Sequence, residues 1–314
     1  MSGLYAVDSR TDALPATVGG VRIAVVGSGY SGAQAARYMA ERGHAVVAVG
    51  RRPEPLHALA AEIGRVEARV ADVQQPAELQ RALQGADRLL LLVPPPREGD
   101  PSAAAAAVLA ALPRSVDRVV YGSTTGVYAP PEDPEVWVDE HAPVGPAGRL
   151  GRARRVYEES LLENASAPVH LVRIAGIYGP GRTLAERLRA GTFAGTEGAR
   201  PTSRIHRDDL ARLLVEVVLA EAPPPIVLAC DEHPATTLEV ARFTAVQLGL
   251  PPPPAVSAAE ADRRSSPIAR EFRAGGKRCR SLYRESLIGP LRFPSYREGV
   301  PASLEAETRA AAKT

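Results

Sequence analysis

Lysine is nearly absent. Of the 38 basic residues only Lys277 and Lys313 are lysine, so any chemistry that needs an amine side chain has two candidates. Cysteine is as scarce: Cys230 and Cys279 form no C-x-x-C pair, which excludes a disulfide framework and a zinc ribbon. Charge of one sign is not in excess either, at a net +2 from 38 basic and 36 acidic residues. That balance gives no electrostatic reason to expect nucleic acid or an anionic membrane as a partner. Long apolar runs are missing too, and nothing approaches the roughly 18 consecutive apolar residues of a spanning helix. The opening residues 1–20 show no apolar h-region and no twin arginine, and are read as a loose leader before the first strand. With so few cysteines, a reducing cytoplasmic setting is expected. The six histidines and the acidic residues show no metal-ligand spacing, so no metal is expected. No serine stands in the G-x-S-x-G pattern of a hydrolase elbow.

What is present is alternation. Short apolar runs VRIAVVG (21–27), HAVVAVG (44–50), VEARVADV (66–73), DRLLLLV (87–93) and DRVVYGS (117–123) alternate with helical stretches closed by Gly43, Gly64 and Gly85. Near-continuous apolar strands between helices predict a parallel sheet covered on both faces, a Rossmann-type doubly wound α/β fold. Residues 124–148 read as a long loop region rich in Pro and Gly. The segment 148–164, beginning GRLGRARR, reads as a helix, VHLVRIAGIYG (169–179) as one strand, RDDLARLLVEVVLA (207–220) as an amphipathic helix, IVLAC (226–230) as a strand and 236–249 as a helix. This divides the chain into the leader (1–20), a dinucleotide-binding core (21–179) and a mixed region (180–314). The last completes the sheet over 205–250 and forms a small C-terminal substrate lobe from 180–204 and 255–314.

Gly27-Ser28-Gly29-Tyr30-Ser31-Gly32 is G-x-G-x-x-G, placed directly after the first strand and opening a helix. In that context Gly27 permits the tight turn, Gly29 lets backbone approach a pyrophosphate, and Gly32 lets helix pack on strand. The helix N-terminus then offers free N–H groups and its positive dipole end. The competing reading is a glycine-rich turn in some other α/β fold. The second strand ends Val49-Gly50-Arg51-Arg52, without the carboxylate that holds the ribose 2′-hydroxyl of NAD. Two guanidiniums there suit a 2′-phosphate, so NADP(H) is favoured over NAD(H), unless both arginines simply solvate a loop. Asp72, with Val73 closing the third strand, is placed either to accept from an adenine amino group or to cap a helix.

Several motifs in order carry a family resemblance. YGSTTGVYA (121–129), WVDEHAP (137–143), VRIAGIYGPGR (172–182), RIHRDDLA (204–211) and the pair GKRCRSLYRESLIG and FPSYREG resemble extended and atypical short-chain dehydrogenases/reductases, the group called NAD-dependent epimerase/dehydratase proteins. The resemblance implies that Ser123 or Thr124 donates a hydrogen bond to a substrate carbonyl. It implies that Val93 and Pro94 lie along the nicotinamide ribose and that Tyr178, Gly179 and Pro180 wall the nicotinamide pocket. It places Arg204 and His206 facing the substrate or bracing the lobe, with Asp208 starting a helix. It also exposes a departure. Active members carry a Tyr and a Lys four apart on the helix near residue 150, and here those positions are Leu150 and Arg154. No Tyr-x-x-x-Lys occurs in the chain. Arg154 keeps a positive charge for a ribose but is no proton reservoir. Arg152 and Arg155 read as a solvated face, with i,i+4 pairs Arg154–Glu158 and Arg155–Glu159.

Tyr128, Tyr178, His141 and His206 are then the candidate proton donors of an oxidoreductase or epimerase-like enzyme acting on a small carbonyl, hydroxyl or sugar-like substrate. The alternatives are a non-catalytic NADP-binding sensor and a scaffolding paralogue. A homodimer through the helix starting near residue 150 and its neighbour SAAAAAVLAAL (102–112) follows from family analogy.

Overall fold

The computed structural model describes residues 20–145, 148–264 and 266–312. Apart from Gly20, the leader expected over 1–20 lies outside the described residues.

The core is a seven-stranded sheet: β1 (Arg22–Val26), β2 (Ala45–Gly50), β3 (Val66–Val70), β4 (Arg88–Leu91), β5 (Arg118–Thr124), β6 (Val169–Ile174) and β7 (Ile226–Ala229). Its spatial order is β7-β6-β5-β4-β1-β2-β3, and all pairings are parallel. The strands are apolar on both faces because both faces are covered. Along β1, Ile23 and Val25 pack with Met39 of α1 (Tyr30–Glu41), Leu56 of α2 (Pro53–Glu62) and Leu213 and Val217 of α6 (Arg207–Leu219). Ala24 and Val26 point the other way, to Leu79 of α3 (Pro76–Ala82), Val108 of α4 (Pro101–Ala110) and Leu161 of α5 (Arg149–Asn164). Each such fully buried aliphatic side chain contributes about 1.5–3 kcal/mol. Chain order reverses at β1, whose neighbours are β2 on one side and β4 on the other. Ligands of open parallel sheets bind beyond the strand ends at such a point.

Three features differ from the sequence reading. The run 169–179 is not one strand. β6 ends at Ile174, the Ala175 amide still bonds the Ala229 carbonyl, and the Gly176 amide then turns to the Ser203 carbonyl. Gly176–Tyr178 therefore pairs with Arg204–His206 in a separate two-stranded sheet. β3 stops at Val70, before Asp72 and Val73. The weakly patterned tail holds a 16-residue helix, α8 (Tyr296–Ala311), started by a capping box of Ser295 and Glu298. Between β7 and α8 runs α7 (Thr237–Gln247), which packs on α8 through Phe243 and Tyr296. Among the described residues no helix is long and apolar enough to cross a membrane.

Candidate functional site

A cleft of about 980 Å³ opens at the carboxyl ends of β1, β2 and β4. Its floor is the loop 27–29. Gly27 has φ +98°, and a Cβ there would come within 3.1 Å of Val93 Cγ2, so only glycine is at ease. The Gly27 amide bonds the Val49 carbonyl at 3.0 Å, which ties the loop to β2. Ser28 Oγ donates to the Val25 carbonyl. A Cβ on Gly32 would lie 2.3 Å from the Gly27 carbonyl oxygen, so α1 packs on the loop only as glycine. Gly29 is different: nothing lies within 4 Å of where its Cβ would be. No packing inside the protein accounts for a glycine there, whereas an approaching pyrophosphate would. Helix α1 starts beyond it with no side chain capping its first amides. Together these features fit a dinucleotide phosphate at the helix N-terminus.

Arg51, Arg52, Asp72, Val73, Val93 and Pro94 all line the cleft with Gly27, Ser28 and Gly29. Arg51 and Arg52 are exposed, and neither is paired among the described residues. Asp72 Oδ1 accepts from the Gln74 amide at 3.0 Å, a local turn rather than a helix cap. Ser31 sits in the first turn of α1. The Tyr30 side chain is engaged elsewhere: its hydroxyl donates to the Pro180 carbonyl at 3.0 Å, between the guanidiniums of Arg182 and Arg207. Burial pushes that phenol up to about 12.

Arg154 does not stand on the cleft wall. Its guanidinium donates to the Tyr121 hydroxyl at 2.7 Å and to the Gly122 carbonyl at 3.1 Å. Nor does it pair with Glu158, as the i,i+4 spacing suggests. Glu158 instead bonds Arg173 at 2.7 Å, both side chains being buried, and Arg173 also donates to the Tyr128 hydroxyl. Arg155 does pair with Glu159. Tyr157, three residues after Arg154 on the same helix face, lines the cleft and was not singled out by motif. Its ring packs on Tyr121 at 5.1 Å.

Three of the four expected proton donors, Tyr128, Tyr178 and His206, are already occupied. Tyr128 is held under Arg173 in a small apolar cluster. The Tyr178 hydroxyl donates to the Ser295 carbonyl, and burial drives its pKa up. His206 is buried: Nδ1 accepts from the Asp208 amide to cap α6, Nε2 lies 3.2 Å from Ser303 Oγ, and burial holds its pKa down at about 4. Arg204 donates to the carbonyls of Thr202 and Ala235, bracing the lobe. His141 is exposed, edge-on to Tyr283. At the end of β5, Thr124 Oγ1 accepts from the Gly126 amide, while Ser123 Oγ is buried with no partner among the described residues. An orphaned buried hydroxyl at a strand end of this kind is a vacant donor and acceptor. Among the described residues no three His, Cys, Asp or Glu side chains gather so as to hold a metal ion.

A family model described as NAD(P)H-binding matches residues 27–221. Protein YeeZ of Escherichia coli (strain K12) is 29% identical over 145 residues, 46% of this chain and 51% of YeeZ. The chain thus matches about half the length of that curated relative. A functionally unknown conserved protein from Silicibacter pomeroyi DSS superposes with TM-score 0.78 at 32% identity, over 91% of this chain and 99% of that one. A nucleoside-diphosphate-sugar epimerase from Pseudomonas aeruginosa superposes with TM-score 0.72 at 22% identity, over 93% of this chain and 98% of that one, and shares the fold.

Proposed function

The chain belongs to the NAD(P)H-binding family, and from that premise we propose an NAD(P)-dependent oxidoreductase or epimerase-like enzyme of the extended/atypical short-chain dehydrogenase/reductase type, acting on a small carbonyl, hydroxyl or sugar-like compound. The observation that carries it is Gly29. It leaves an open cradle in front of uncapped helix amides on the floor of a cleft large enough for a dinucleotide. A bound nicotinamide dinucleotide supplies hydride transfer. The chain supplies the rest. The α1 amides bind the pyrophosphate, Val93 and Pro94 border the ribose, and Asp72 and Val73 border the adenine. Arg51 and Arg52, exposed and unpaired at the cleft edge, favour NADP(H) by pairing with its 2′-phosphate. Ser123 Oγ donates to the substrate oxygen. A homodimer through α4 and α5 is part of the same reading; Val156 and Leu162 are exposed on α5.

The test is calorimetry with NADPH and NADH side by side. NADPH should bind at least about tenfold tighter, about 1.4 kcal/mol. Tighter NADH would remove the 2′-phosphate argument and leave the rest. Binding of neither would remove the enzyme reading. One observation favours a second reading, a non-catalytic NADP sensor: Leu150 replaces the tyrosine, and Arg154 is spent on Tyr121 and Gly122. Tight NADPH binding without turnover of any member of a carbonyl and alcohol panel would select it.

A further inference from the structure

Lys277 is the one lysine among the described residues, and it is only 7% exposed. It precedes the short strand Arg278–Cys279, which pairs with Trp137–Val138. Its ammonium donates to the Thr125 carbonyl at 3.3 Å, and among the described residues no carboxylate pairs with it. Thr125 directly follows β5, and the orphaned hydroxyl of Ser123 stands two residues earlier. A buried amine whose one weak bond is to the Thr125 carbonyl and a buried, unpartnered hydroxyl at Ser123 are therefore both tied to the same strand end, the end at which open parallel sheets bind ligands.

Among the described residues the Thr125 carbonyl is the one hydrogen-bond partner of the Lys277 ammonium, and Ser123 Oγ has none. Burying a cation without a counter-charge is costly, and stability alone would favour a neutral side chain there. Burial lowers the Lys277 pKa from its ordinary value, opposed by the neighbouring Cys279, whose own thiol burial pushes up to about 11. A lysine held this way exchanges protons more readily than an exposed one. Of the other candidate donors, Tyr128 is committed to Arg173, Tyr178 to Ser295 and His206 to Asp208 and Ser303, and His141 is exposed at the surface edge-on to Tyr283.

We propose that Lys277 is the proton donor and acceptor of this site, exchanging a proton with the oxygen of a small aldehyde, ketone or corresponding alcohol bound against Ser123. The inference rests on the oxidoreductase reading above. The step assigned to Lys277 is the proton transfer alone. In the reducing direction an N–H bond of the ammonium breaks and an O–H bond forms on the substrate oxygen. Solvent then returns a proton to the amine. The two electrons are the dinucleotide's to supply or accept.

Lysine scarcity makes the test clean. A Lys313→Arg variant leaves Lys277 as the only lysine in the chain. It is treated with glyceraldehyde and cyanoborohydride at pH 7.5, folded and in urea, and the Lys277 peptide is quantified by mass spectrometry. Several-fold faster alkylation in the folded protein is expected, because a carbonyl compound reaches an amine that sheds its proton easily. Equal or slower alkylation than in urea overturns the proposal. Dinucleotide binding is measured by calorimetry on the same sample. Its absence removes the oxidoreductase reading, and the alkylation result still decides whether Lys277 is a reactive, carbonyl-accessible amine. With any carbonyl compound that the protein does reduce, Lys277→Met lowers kcat by about 10²–10⁴-fold, and an unchanged kcat overturns the assignment.

Discussion

Gly29 and Gly32 stand three residues apart in one motif and answer to different neighbours. The Gly32 Cβ position is filled by the Gly27 carbonyl at 2.3 Å, whereas that of Gly29 is empty. Gly32→Ala should therefore destabilise the fold by about 1–3 kcal/mol, measured by urea denaturation. Gly29→Ala should leave the denaturation midpoint almost unchanged and weaken dinucleotide binding by tenfold or more in calorimetry, about 1.4 kcal/mol. A Gly29→Ala protein that binds normally would show that the cradle holds no phosphate. Arg51→Ala with Arg52→Ala should weaken NADPH binding and leave NADH binding as it was. The spacing of the glycines and the missing carboxylate at the end of β2 were legible in the sequence. The motif also assigned packing to Gly32, but what it packs on, the Gly27 carbonyl and the Leu92 side chain, was not legible, because those distances are set by how the loop folds back on α1.

At the scale of elements, α5 shows where local reasoning stops. Its period marks a helix, and i,i+4 spacing pairs Arg154 with Glu158 as readily as Arg155 with Glu159. Only the second pair forms, and it lies in solvent. Glu158 reaches across to Arg173 of β6, with side chains only 3% and 5% exposed. Glu158→Gln should cost about 3–5 kcal/mol by leaving a buried guanidinium uncompensated. Glu159→Ala should cost less than about 1 kcal/mol. Paired urea melts of the two variants check this; equal losses would mean that the buried pair gains nothing from its surroundings. The break in the run 169–179 was hidden for a similar reason. The apolar pattern continues through Ala175, but the partner changes from β7 to Arg204–His206. The C-terminal helix α8 was legible only at its start, in the capping box Ser295-x-x-Glu298, since its buried face includes Gly299 and Ser303 rather than a clear apolar stripe.

Across the whole molecule, α8 is tied back to the phosphate loop. Glu307 accepts from the Gly181 amide, Ser303 bonds His206, and the Pro180 carbonyl accepts from Tyr30 beside Gly29. His206 makes this assembly sensitive to acid. Burial lowers its pKa from 6.5 to about 4, and protonation would also end the Nδ1 cap on α6. A lowered folded-state value means that this contribution is full above about pH 6.5 and is lost as pH falls towards about 4. Asp231 has the opposite sign: burial raises it from 3.8 to about 7, so its contribution is full at acid pH and is lost as pH rises through about 7. The His206 effect is therefore read as a difference. The stability gap between the native protein and His206→Asn, which keeps a capping acceptor, should shrink between pH 7 and pH 4.5 in thermal melts. A gap independent of pH would mean that His206 is not held neutral by burial.

The sequence by itself determined the class of fold and the place of the phosphate loop, because strand and helix periods and the G-x-G-x-x-G turn are local in the chain. It also showed the loss of the Tyr-x-x-x-Lys pair, since a missing residue type needs no structure to be seen. Only the tertiary structure decided what each charged or hydroxyl group does. Arg154, Arg204, Tyr128, Tyr178 and His206 look available in the sequence and are bound into the scaffold. Lys277, about 150 residues from Thr125 in the chain, is brought to the end of β5 by the pairing of Arg278–Cys279 with Trp137–Val138. Burial and hydrogen bonding are set by neighbours distant in the chain, and no local pattern records them.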